Sequence, residues 1–172
     1  MADQLHEWHD FYLLIGTAAA TLIGLTFVAA SVGAGATFDA KRAANWQSFL
    51  TPTVLHFSAV LIACLIALAP VGASLGVLLL ALGIVGVVWG SRHWVGMRRR
   101  GLTQQIDLAD RLLYLRLPIV GYLLLAAAAV VLLVHKESGL IVLALALVLL
   151  LLLGIRNAWD MTVWIVVRRP DS

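Results

Sequence analysis

Apolar positions follow one another almost without interruption along this chain, and its polar residues gather in clumps that cut it into five long blocks. The blocks cover about 11–34, 46–69, 72–96, 117–135 and 140–165. Each approaches or exceeds the roughly 20 helical residues needed to cross a hydrocarbon core about 30 Å thick. A backbone in lipid must satisfy its own hydrogen bonds, so blocks of this kind are α-helices. The pattern predicts an all-α integral membrane protein, one transmembrane domain over 1–172 with five spans. The stretch MRRRGLTQQIDLADRLLYLRLP, which contains the loop 97–116, sets Leu102, Ile106, Leu113 and Leu117 against Gln104, Asp107, Asp110 and Arg111. This alternation predicts a short interfacial helix there.

Composition agrees and adds orientation. Hydrophobic residues make up 62% of the chain and charged residues 12%, against about a quarter charged in soluble domains. Of the twelve Lys and Arg, eleven fall on one side of the five-span scheme: Lys41, Arg42, Arg92, Arg98, Arg99, Arg100, Arg111, Arg116, Arg156, Arg168 and Arg169. Only Lys136 falls on the other. Short basic loops stay in the cytoplasm, so the N-terminus is expected outside and the C-terminus inside. The opening MADQLHEWHD has no Lys or Arg and precedes an apolar run longer than a signal peptide's, so span one is expected to be a retained anchor. The basic residues are strung along membrane edges. Nucleic-acid binding is therefore not expected, and membrane lipids are the expected contact. The tract FYLLIGTAAATLIGLTFVAAS has the look of small bacterial inner-membrane proteins, which makes that membrane the expected location.

Two stretches suggest an internal repeat. Span three ends in WGSRHW (89–94) and span five reaches GIRNAW (154–159), each with Gly, one residue, then Arg. Pro52 and Pro118 open the preceding spans, and a short outer turn separates the helices of each pair. The chain thus reads as one anchor helix followed by two hairpins, 46–96 and 117–167, related by an axis along the membrane normal.

Small residues mark expected helix contacts, because membrane helices associate through close packing rather than burial of oily surface. Gly76, Gly83 and Gly90 recur every seven residues in span three, and Gly16, Ala20 and Gly24 lie four apart in span one. Two such seams favour a homo-oligomer.

Candidate chemistry is sparse. Thr17, Thr21, Thr53, His56 and Ser58 are polar positions at bilayer depth, and Arg92, His93, Arg156, Asn157 and Asp160 sit near the cytoplasmic edge. Together they would line and gate a path. Arg156 and Asp160, four apart, share a helix face and can pair, so they are equally readable as markers of helix depth. His6 and His9 in HEWHD lack the four-residue spacing of the zinc-protease motif and are weak metal candidates beside Glu7 and Asp10. A haem between His56 and His93 fails on depth. Counted from the Pro70 turn the two differ by nine residues, about 13 Å at helical rise. No nucleophile triad, phosphate loop or ligand cluster appears, so no enzyme activity and no cofactor is expected. Two readings remain: a homo-oligomeric channel or passive transporter with a basic cytoplasmic ring, or a non-transporting scaffold or accessory subunit docked to another membrane protein. The channel reading carries an anion-leaning leak that Arg92→Gln and Arg156→Gln would reduce.

Overall fold

The computed structural model describes residues 8–34, 40–99 and 116–167, all helix and turn, with no strand among them. The order is α1 (His9–Ala34), α2 (Ala40–Leu68), a 3-10 turn (Gly72–Ser74), α3 (Leu75–Arg99), α4 (Leu117–Val134) and α5 (Lys136–Val167). All five α-helices are long and apolar enough to span a membrane. The protein is thus an all-helical, multi-pass membrane protein by length and composition. The expected interfacial helix in 97–116 falls largely outside the described residues, as does His6.

Boundaries differ from the hydrophobic pattern where local chemistry intervenes. Pro52 does not start a helix. α2 begins at Ala40 and runs through it, whereas Pro118 does stand in the first turn of α4, where a missing N–H costs nothing. The α2–α3 turn needs Gly72, whose φ of +56° places it in the left-handed region that glycine enters freely. The α4–α5 turn is shorter than the gap 136–139 left between the apolar blocks, because one extended residue, His135 (φ −132°, ψ 98°), breaks the helix. Gly139 already lies in α5, its Cα so close to α4 that a Cβ would stand 2.7 Å from the Leu132 backbone.

Helices α2, α5, α4 and α3 surround a common core, with broad contacts along α2–α5, α5–α4 and α4–α3 and a slight one between α2 and α3. α1 lies outside this group, broadly against α2 and slightly against α5. α5 is the most enclosed helix and α1 and α3 the most exposed. Phe57, Leu79, Leu125, Leu143, Leu147 and Leu150 are fully buried in the centre.

Small residues set the closest approaches. Gly76, Gly83 and Gly90 face α4, against Leu133, Ala126 and Ile119 respectively. At Gly83 a Cβ would fall 2.8 Å from the Ala126 backbone nitrogen, so the two backbones themselves are in contact. The expected α1 seam is only partly an internal contact. Gly16 meets Cys64 (3.1 Å from its would-be Cβ), but Gly24 has nothing within 4 Å and Ala20 is exposed. The buried line of α1 runs instead through Tyr12, Gly16, Ala19 and Thr26. Tyr12 on this line also reaches α5, its hydroxyl donating to the Leu140 carbonyl at 3.1 Å.

Candidate functional site

Thr53 and His56 lie one turn apart on the same side of α2 and are both buried, at 0% and 1% exposure. A histidine about 8 Å inside the span that starts at Thr51 needs a partner, because an unpaired polar group in an apolar interior is costly. The partner comes from α4: His56 Nδ1 and Tyr122 Oη are 3.0 Å apart, with the two rings 5.7 Å centre to centre. α2 and α4 are not neighbours around the bundle; they face each other across it. The His56–Tyr122 pair therefore crosses the centre of the four-helix group.

Glycines fit this crossing. The Tyr122 ring lies against Gly86 of α3 so tightly that a Cβ there would overlap it. Phe57 fills the same role against Gly154 of α5, at 2.5 Å from the would-be Cβ. One turn beyond Gly154, Asn157 is 6% exposed. The buried polar side chains Thr53, His56 and Asn157 are thus gathered toward the end of the bundle where α2 begins and α5 ends, with Ser58 half-buried.

The other candidates lie elsewhere. Thr17 and Thr21 are exposed on α1, and their hydroxyls donate to their own helix, to the Leu13 carbonyl at 2.7 Å and the Thr17 carbonyl at 2.9 Å. Arg92 is exposed, and His93 stacks on Trp89 with centroids 5.4 Å apart and planes at 14°. Arg156 Nε stands 3.6 Å from Asp160 Oδ2, with side chains 48% and 33% exposed. A pair so open to its surroundings contributes at most about 1 kcal/mol. His9 is exposed at the start of α1, and the described residues contain no group of three or more metal-ligating side chains.

Tyr122 was not among the sequence candidates. Its signal was positional: it stands four residues after Pro118, as His56 stands four after Pro52. Tyr12, just after the HEWHD segment, is 0% exposed and ties α1 to α5.

Compared with known proteins, the chain matches no family model, no curated protein and no solved structure. Its function has to be argued from its own residues.

Proposed function

We propose that this protein is a non-conducting helical subunit of the bacterial inner membrane, a scaffold or accessory component for a larger membrane assembly. One observation carries the reading: the buried group around His56, the α1 threonines and the Arg156–Asp160 pair, which would together line a path, do not share a surface. His56 is held by Tyr122 across the middle of the bundle, among leucines and Phe57 that are fully buried. The α1 threonines point away and bond to their own carbonyls. The Arg156–Asp160 pair lies on the outside. The eleven-to-one distribution of basic residues supports the N-out, C-in orientation. The equivalent positions of His56 and Tyr122 after their prolines support the two-hairpin repeat. The repeat would carry the α2–α5 contact onto α4–α3, and both are broad; it would also carry α4–α5 onto the slight α2–α3 contact, so the two hairpins would differ in closure.

A second reading keeps the homo-oligomeric channel, with the path between copies rather than through one. It is favoured by a row of small residues on the exposed face of α1: Thr17, Ala20, Thr21, Gly24 and Ser31. Flux from proteoliposomes separates the two. Tight vesicles support the scaffold, and an anion leak lowered by Arg92→Gln or Arg156→Gln supports the channel.

A further inference from the structure

The outer face of α5 changes character along its length. Ile141, Leu145 and Leu152 form an exposed apolar stripe (46%, 58% and 57% exposed), and 3.6 residues per turn return Trp159 to that stripe and set Arg156 and then Asp160 along its flank. Trp159 is 67% exposed. Arg156 approaches Asp160 through Nε, at 3.6 Å, and a guanidinium carries five donors, so Arg156 can serve another acceptor as well. A carboxylate accepts from several donors at once, so Asp160 can take a further donor without releasing Arg156.

Order along the helix is the informative feature. Whichever way the protein is oriented, α5 leaves the bilayer toward its C-terminus, so Arg156 lies deeper than Asp160 by about 6 Å. A phospholipid in that leaflet presents its groups in the same sequence: acyl chains, then phosphate, then the terminal headgroup substituent. Arg156 stands at the depth of a phosphate and Asp160 one turn further out, with Trp159 between them as an interfacial aromatic anchor. A net anionic headgroup would gain from Arg156 and be opposed by Asp160. A choline headgroup would meet Asp160 with a trimethylated nitrogen that has no proton to donate. An ethanolamine headgroup carries both a phosphate and a primary ammonium with three donors, and complements both side chains.

We propose that this face of α5 is a binding site for an ethanolamine phospholipid, with Arg156 on the phosphate, Asp160 on the ammonium and the apolar stripe along an acyl chain. The site is independent of whether the protein conducts. The test is native mass spectrometry of the purified full chain in nonionic detergent, offered equal amounts of dioleoyl phosphatidylethanolamine, phosphatidylcholine and phosphatidylglycerol. The ethanolamine lipid should be retained about two- to fivefold over the choline lipid, the range an exposed charged contact supplies. Asp160→Asn should remove that preference. The paired exchange Arg156→Asp with Asp160→Arg keeps the ion pair and the composition but reverses the order, and should also remove it. Equal retention of ethanolamine and choline lipids by the unmodified protein, preference for the glycerol lipid, or a preference that survives the exchange would each overturn the proposal. The unmodified protein's competition decides the matter even where a variant fails to fold.

Discussion

Removing one oxygen, by Tyr122→Phe, tests the bond that crosses the bundle. The phenyl ring keeps its place against Gly86, so packing is preserved while His56 Nδ1 loses a partner 3.0 Å away. At 1% exposure for His56 and 2% for Tyr122, bulk water does not replace it. Interhelical hydrogen bonds in membrane proteins average about 0.6 kcal/mol and reach about 1.7, and stranding a buried acceptor or donor costs about 1–3 kcal/mol. Tyr122→Phe should therefore destabilise by about 1–2 kcal/mol, a five- to thirtyfold rise in the unfolded fraction. The assay is reversible unfolding in mixed micelles by a denaturing detergent, followed by helical circular dichroism. His56→Leu alone also loses ring packing and should cost more. In the double variant the losses should fall short of additive by at least about 0.5 kcal/mol, the threshold expected of residues in contact. Strict additivity would mean that the two side chains do not interact, and the argument for a closed centre would lose its main support.

Three further outcomes follow from the packing and the charge pattern. Gly83→Ala should destabilise by about 1–3 kcal/mol, because its Cβ would meet the Ala126 backbone, while Leu82→Val is tolerated; equal effects in the same unfolding assay would refute backbone contact between α3 and α4. Gly16→Leu should disrupt the α1–α2 contact at Cys64, whereas Gly24→Leu, with nothing within 4 Å, should leave the monomer's stability unchanged. If Gly24→Leu instead dissociates an oligomer in cross-linking, a second copy covers α1. Cysteines placed at Gln4 and Glu137 should react with an impermeant thiol reagent from the periplasm and one at Gln104 should not; any reversal breaks the N-out, five-span scheme.

Helix positions were legible in the sequence because lipid imposes a minimum apolar length on every span, and the charge clumps that end the blocks are correspondingly sharp. Helix neighbours were not. In a soluble helix the polar face identifies the outside by its period, but here lipid-facing Leu145 and core-facing Leu147 are the same residue type. Glycines supplied part of the missing information, marking the face of α3 that packs closely without saying that α4 would be the helix it meets. They were less informative on α1, where small residues occupy both the packed line at Gly16 and Ala19 and the exposed line at Ala20 and Gly24. His56 was recognisable as a buried polar group, yet its partner was not. A lone tyrosine in an apolar run reads as an interface residue until the fold brings α2 and α4 to face each other. The short break at His135 was likewise hidden, since Lys136, Glu137 and Ser138 look like loop residues although they begin α5.

The central claim is that polar groups buried in this bundle hold it together rather than open it. Chloride and nitrate efflux from liposomes carrying the purified protein at high density measures this directly. The account predicts vesicles as tight as protein-free controls, with no change on Arg92→Gln or Arg156→Gln. A protein-dependent anion leak that both substitutions reduce would contradict it and leave the intersubunit channel.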